Sequence, residues 1–432
     1  MVSEPSHIPR EVAFLFNDIF TTETESRREY PLLPSATLRL CGKFKSEGIA
    51  TFGIMLSYWE KEHFLSYDYI VIGSGIVGLS TALSLRMHKP HASILVLERG
   101  LLPTGASTKN AGFACIGSLT EILDDLRIMP EQKILELVSL RRAGLRRLRD
   151  RLGDEVVGYA ENGSYEIITE SEIIALDHFY EINDMLRPLL HSDAFSRADE
   201  LISQFGFGGD VKHLIRNNHE GELNTGMMMK GLLNLCMESR IEIKTGAEVV
   251  SVTEEADEVE VMVEHKFLSE RVPFRCGQLA VCTNAFTHTL VPGLDIKPGR
   301  GQVLITKPIP GLKIKGVFHS DKGYFYFRQI DGRILFGGGR NMDFAGEQTE
   351  QFSYNERILA ELKHRLATII LPGTPHEIDY TWTGIMAFGE DKFPIIRQHS
   401  SHIFLGVRMG GMGVAMGSEV GEKLAVMITS HT

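Results

Sequence analysis

Between residues 67 and 99 the apolar positions change their period twice. Residues 69–72 (YIVI) form a continuous apolar, β-branched run cut off at Gly73, the pattern of a strand buried on both faces. Ile76, Leu79, Leu83 and Met87 then recur at helical spacing, which predicts a helix with one apolar stripe, stopped by Pro90. Residues 93–97 (SILVL) are continuously apolar again and predict a second buried strand. The stretch is therefore one strand–helix–strand unit of an α/β fold.

Further along, helical periodicity covers residues 119–152, 173–190, 226–239 and 354–368, and strand patterns cover 165–168, 241–250, 259–263 and 279–282. Residues 296–340 alternate in strand fashion around two turn signals, DKG and DGR, which predicts antiparallel hairpins. The helix over 119–152 ends in RRAGLRRLRDR, read as a solvated basic face. A strand at 403–407, the glycine-rich RMGGMGVAMG and a helix over 418–428 make a second strand–glycine–helix unit. No strand follows that helix to bring an acid, so the unit is expected to offer only a helix N-terminus, suited to an anion or to a ring that becomes negative on reduction. Residues 1–54 hold four prolines and no lasting period. They are expected to be an extension dispensable for folding, the folded chain opening near Met55.

Composition narrows the class. With 432 residues, 43% hydrophobic and 23% charged, the sequence reads as an ordinary globular protein of two or three domains. A net charge of −11 argues against nucleic acid as a partner. No apolar run reaches membrane-span length, and acids interrupt the first twenty residues where a signal peptide would be apolar, so a cytoplasmic location is expected. Five cysteines without paired spacing read as reduced, buried thiols, and sixteen histidines show no metal-binding spacing, so no metal is proposed.

The chemistry is announced by G-x-G-x-x-G at Gly73, Gly75 and Gly78. Gly73 permits the tight turn, Gly75 lets backbone approach a pyrophosphate, and Gly78 lets the helix lie against the strand. Glu98 follows about twenty residues later, at the end of the second strand, where a ribose needs a carboxylate. Strand, helix and acid fall in register, which points to an adenine dinucleotide. The segment LLPTGASTKNAGFACIG is rich in small residues and suits a planar ligand lying against backbone.

Together these segments resemble the FAD-dependent D-amino-acid oxidase superfamily, which includes glycine oxidase and monomeric sarcosine oxidase, over about residues 66–430. The resemblance implies a Rossmann-like FAD-binding domain (64–125, 222–300 and 378–432) interleaved with an α+β substrate domain on a mainly antiparallel sheet (126–221 and 301–377). It puts Gly73, Gly75, Ile76, Val77, Gly78, Glu98 and Arg99 at the adenosine and pyrophosphate, and Ser107, Thr108, Asn110 and Ala111 on the loop past pyrophosphate and flavin. Val249 matches the family's adenine contact. Thr283 and Asn284 match its ribityl contact, with Asn284 in place of a usual glycine. Gly411, Met412, Gly413 and Val414 match the loop whose N–H groups face the pyrimidine oxygen.

Departures from the family are informative. The cysteine and histidine that carry covalent flavin are absent from TGIMAFGEDKFP and STKNAGF, so the FAD is expected to be noncovalent. The substrate-binding arginine of glycine oxidase is replaced by the Gly384–Ala387 stretch, and the terminal-loop lysine of sarcosine oxidase by Ala415. Tyr324 and Tyr326 share a strand face and are candidates to bound the substrate, while Arg340, Arg408 and additionally Arg328 are candidates to hold its carboxylate. The expected activity is oxidation of the C–N bond of an amino acid or secondary amine by hydride transfer to the flavin. Oxidation of a 2-hydroxy acid, or FAD binding without turnover, are the alternatives.

Overall fold

The computed structural model describes residues 56–265 and 270–431, so the expected extension over 1–54 lies outside the described residues. A helix at Tyr58–Phe64, closed by a Ser57–Glu60 capping box, leads into the strand Ser66–Ile72. That strand is the centre of a sheet in the order Glu242–Thr245, Ile94–Glu98, Ser66–Ile72, Glu270–Val281, Ile403–Val407 and Ile395–Gln398, parallel except for the last. The strands Glu248–Glu254 and Val259–His265 attach to it as an antiparallel pair.

The second sheet is mainly antiparallel. Its order is Ile378–Phe388, Lys297–Thr306, Arg333–Gly338, Phe325–Ile330, Val317–Ser320, Ser164–Ile168, His213–Asn217 and Phe195–Arg197. Both expected turns are present: Asp331 and Gly332 adopt positive φ between two paired strands, as does the Asp321–Gly323 stretch. The strand Ile378–Phe388 was expected on the cofactor side of a boundary at 378. It instead pairs along its length with Lys297–Thr306 and forms the edge of the antiparallel sheet.

Several helices differ from the sequence reading for identifiable reasons. The expected 119–152 helix is two helices, Leu119–Asp125 and Glu131–Leu152, with Pro130 as the N-cap of the second. The helix Ile76–His88 has no single stripe: residues 76–85 are all buried, and Met87 is exposed. It is covered on one side by the parallel sheet and on the other by the last helix, Gly413–Thr429. The basic face of Glu131–Leu152 is largely docked, not solvated. Arg141 is buried against Glu121, Arg147 pairs with Glu419 and Glu422, and Arg151 pairs with Glu422. Cys115, Cys236, Cys276 and Cys282 are free and buried; Cys41 lies outside the described residues. Among the described residues no helix is long and apolar enough to cross a membrane.

Candidate functional site

Two helix N-termini converge on one place. Ile76 packs at Gly417, Ser80 at Gly421, and Ser84 donates to Glu422, so Ile76–His88 and Gly413–Thr429 run parallel, side by side. Their seam is made of small residues; a Cβ on Gly421 would sit 2.7 Å from the Thr81 nitrogen. Each helix follows a parallel strand, so both N-termini emerge at the carboxyl edge of the sheet, where ligands of open α/β sheets bind. A cavity of about 800 Å³ opens there and extends beneath the antiparallel sheet.

The glycine turn shapes one end of this cavity. Gly73 has φ +103°, and its Cβ position lies 2.9 Å from the Cys282 carbonyl, so no side chain fits between the two strands. A Cβ on Gly78 would lie 1.9 Å from the Gly73 carbonyl, which is why helix and strand approach so closely there. Gly78 itself does not line the cavity, whereas Gly73, Gly75, Ile76 and Val77 do. Ser107 reaches over from the small-residue loop and accepts the Ile76 N–H at 3.0 Å, occupying one free amide of the helix start. Glu98 is buried and accepts from the Ser74 N–H and hydroxyl through Oε2 and from the Gly100 N–H through Oε1. These bonds fix its carboxylate at the cavity wall beside Arg99, whose guanidinium stacks 3.7 Å over Phe286. Val249 lines the same end. Asn110 and Ala111 also line the cavity, while Thr108 faces outward and its hydroxyl donates to the Pro103 carbonyl. Its role is to hold the loop.

At the other end the terminal loop is pinned by Asn284. This residue has φ +50°, a conformation open to glycine or asparagine, which explains the exchange with the family's glycine. Its Oδ1 accepts the Arg408 and Met409 N–H groups. Thr283, Asn284, Gly411, Met412, Gly413 and Val414 all line the cavity. The Met412 N–H, however, donates to the Met409 carbonyl at 2.9 Å, and the first helical amide bond beyond it is from Met416 to Met412. The donors for a ligand at this helix start are therefore the amides of Gly413 and Val414, not that of Met412.

The four substrate candidates separate clearly. Tyr324, Tyr326 and Arg340 line the cavity. Phe325 and Phe327 point to the opposite face, into the aromatic core with Phe318 and Phe336. Burial pushes the Tyr326 phenol up to about 12, so it is a neutral donor. Its ring lies over Gly337, where a Cβ would meet the Tyr326 Oη at 2.8 Å. Arg340 stacks 3.8 Å over Phe388 and 4.8 Å from Phe344 and has no carboxylate partner among the described residues. Its desolvation lowers its pKa from the ordinary guanidinium value, which favours an incoming anion.

Arg408 is not a substrate anchor. It is buried, pairs with Asp295 at 2.5 Å and Asp391 at 2.6 Å, and donates to the Phe393 carbonyl. It is a strut beneath the terminal loop. Arg328 is likewise used up, by Glu222 and by the carbonyls of Ala111, Gly112 and Leu223.

The structure adds residues that the sequence reading missed. Phe113, His319, Lys322 and Met386 line the substrate side. A charged cluster closes the cavity wall: Lys392 bonds Glu121 at 3.0 Å and Asp125 at 2.6 Å, and Arg141 bonds Glu121 at 3.1 Å. Burial pushes the Glu121 carboxyl up, but Arg141 and Lys392 outweigh it and hold the group down at about 2. His319 was within reach of the sequence. Once DKG is taken as a hairpin turn, counting back pairs Ser320 with Phe325 and His319 with Tyr326.

The family model described as FAD dependent oxidoreductase matches residues 68–427. The curated proteins offer no match by sequence. Among solved structures, the chain is similar to a glycine oxidase from Geobacillus kaustophilus at 17% identity and a TM-score of 0.68, with 85% of this chain and 95% of that one covered. It is similar to an L-proline dehydrogenase from P. horikoshii at 20% identity and TM-score 0.67, covering 85% and 94%. An iminodiacetate oxidase from Chelativorans sp. BNC1 is similar at 18% identity and TM-score 0.65, covering 84% and 95%. At these identities the likeness shows a shared fold.

Proposed function

Because the chain belongs to the FAD dependent oxidoreductase family, we propose that it oxidises the C–N bond of an amino acid or secondary amine bearing a carboxylate. The observation that carries this reading is Arg340: an aromatic-stacked guanidinium on the cavity wall, without a carboxylate partner among the described residues, beside Tyr324 and Tyr326. A substrate carboxylate supplies that partner bidentately.

The residues at the dinucleotide end fit FAD. The glycine turn leaves room for pyrophosphate, Glu98 faces the ribose position, and the amides of Gly413 and Val414 at the start of the last helix suit the flavin's electron-accepting ring. When bound, FAD supplies the acceptor for hydride from the substrate carbon that bears nitrogen. The protein's part is to orient and to exclude water. Arg340 fixes one end of the substrate, the neutral Tyr326 phenol donates a hydrogen bond, and the Phe113 and Met386 side chains give the cavity an apolar wall that excludes water. Noncovalent attachment is supported by the cavity thiols. Burial pushes Cys282 up to about 12 and Cys115 well above its ordinary value, so neither supplies a thiolate for a flavin bond.

The neighbours named for glycine, L-proline and iminodiacetate all take nitrogen compounds, which favours amine over alcohol. The test is anaerobic mixing of the holoprotein with glycine, sarcosine, L-proline, iminodiacetate and lactate while the visible flavin band is followed. Bleaching by one or more of the amines is expected. Bleaching by lactate alone would overturn the amine reading, and silence across wide panels would favour a binding protein without turnover.

A further inference from the structure

His319 stands on Val317–Ser320 directly opposite Tyr326 on the neighbouring antiparallel strand, so both side chains share the face that looks into the cavity. Phe113 packs 5.1 Å from the imidazole and edge-on to Tyr326 at 5.6 Å, which fixes the ring's place on the wall. Behind it lies Glu220, fully buried, its Oε2 3.9 Å from His319 Nε2. Glu220 is held by the Ile116 and Gly117 N–H groups at 2.6 and 2.8 Å and by the Ser164 hydroxyl at 2.6 Å. Burial pushes the Glu220 carboxyl up, opposed by the neighbouring imidazole and by these three donated bonds, which also fix its second oxygen facing the imidazole. His319 Nε2 is buried and has no hydrogen-bond partner among the described residues. Glu220 Oε2 faces Nε2 at 3.9 Å, beyond a direct hydrogen bond, and in the Nε2–H tautomer Nδ1 is the ring nitrogen left for a ligand.

We propose that His319 is a catalytic base for the substrate's nitrogen, and that Glu220 is the positioning residue that sets its tautomer. The inference rests on the amine reading above. Amino acids and secondary amines arrive as ammonium ions, and a carbon next to a positively charged nitrogen does not release hydride. The ammonium N–H bond breaks, its electron pair stays on nitrogen, and the proton forms a bond to Nδ1 of the neutral imidazole. Nothing is oxidised in this step. The imidazolium that results is stabilised by Glu220 behind it. Other titratable groups around His319 are Glu166, its partner on the parallel strand Ser164–Ile168, the Tyr326 phenol, and Cys115 and Lys322, which line the same cavity. Glu166 is occupied by the Thr120 N–H and hydroxyl, and the phenol stays neutral, which leaves Glu220 as the carboxyl facing Nε2.

Two readouts test this. In the holoprotein with isotope-labelled histidine, NMR resonances of His319, assigned by their loss in His319→Gln, should report the Nε2–H tautomer at neutral charge. That preference should weaken in Glu220→Gln, whose amide puts an N–H₂ donor where a carboxylate oxygen faces Nε2. A dominant Nδ1–H tautomer in the wild-type protein refutes the proposal with no variant beyond the assignment one. The second readout is the pH dependence of flavin reduction by whichever of glycine, sarcosine, L-proline or iminodiacetate bleaches the wild-type protein. His319→Gln should lower kcat/KM by roughly 10²-fold and remove the rise in rate on the acid side of the profile. Rescue of reduction at high pH, where free amine is supplied by solvent, is also expected. An unchanged profile in His319→Gln overturns the base role. If no amine bleaches the flavin, the amine reading falls and this proposal falls with it, while the tautomer still reports whether Glu220 orients the ring.

Discussion

Substituting Gly75 by valine separates the cofactor cradle from the fold that carries it. Gly75 has ordinary extended geometry, φ −74° and ψ 179°, so a side chain there does not strain the backbone. Its Cβ meets the Ser107 hydroxyl at 2.9 Å, and that hydroxyl accepts the Ile76 N–H. Valine therefore turns Ser107 away, uncaps one helix amide and projects two methyl groups into the space that backbone and pyrophosphate share. Loss of the cap costs about 0.5–2 kcal/mol, so the protein should fold with its melting temperature lowered by a few degrees. The methyl groups act on the cofactor. Removing close backbone approach should weaken FAD by at least about 10²-fold, since about 1.4 kcal/mol is lost per decade. The assay is the ratio of visible flavin to protein absorbance after purification, followed by FAD titration of the apoprotein by calorimetry. Gly78→Ala is the contrasting variant, because its Cβ would lie 1.9 Å from the Gly73 carbonyl and the whole helix must shift. It should lose fold and cofactor together. A Gly75→Val protein that purifies yellow with unchanged FAD affinity would falsify the cradle assignment.

Other expectations concern single side chains. Arg340→Met should raise KM for the carboxylate-bearing substrate roughly 10- to 100-fold, the size of a lost charge-assisted pair, with a smaller effect on kcat; steady-state kinetics decide, and an unchanged KM excludes Arg340 as the anchor. Arg408→Met should leave KM alone and lower stability by about 1–3 kcal/mol, less than for a fully buried pair because Asp295 and Asp391 are partly exposed; thermal unfolding checks it. Burial pushes Glu166 up to about 7 against an ordinary 4.5, even though Thr120 donates to it. The folded protein therefore holds a proton that the unfolded chain releases, and this stabilising contribution, complete below about pH 4.5, is lost as pH rises through about 7. At about 1.36 kcal/mol per pKa unit it amounts to roughly 3 kcal/mol. Glu166→Gln should flatten this part of the stability–pH curve, and a curve that keeps its slope would show that another group is responsible.

The sequence was most readable where a local steric or hydrogen-bonding demand selects the residue. Gly73, Gly75 and Gly78 with Glu98 could be placed without coordinates because each answers a local steric or hydrogen-bonding demand. Strand ends at Ile72 and Val407 were legible from abrupt changes of period. Side-chain partnerships across the fold were not. Arg340 and Arg408 look alike in sequence, each beside a glycine run, and only the positions of Asp295 and Asp391 separate a guanidinium left on the cavity wall from one used as a strut. The basic face of Glu131–Leu152 failed for the same reason, since Glu121, Glu419 and Glu422 come from distant segments. Helix Ile76–His88 misled because burial on both sides erases the single stripe that periodicity expects.

On the proposed function, carbon–nitrogen bonds are oxidised at this cavity. Single-turnover product analysis of the anaerobically bleached holoprotein tests it most directly. With an acyclic amine that reduces the flavin, mass spectrometry should find one equivalent of carbonyl product per flavin with ammonia or a primary amine in equal amount, and with L-proline one equivalent of the cyclic imine or its ring-opened amino-carbonyl form. Flavin reduction that leaves the substrate's carbon–nitrogen bond unoxidised, or reduction by 2-hydroxy acids alone, would contradict it.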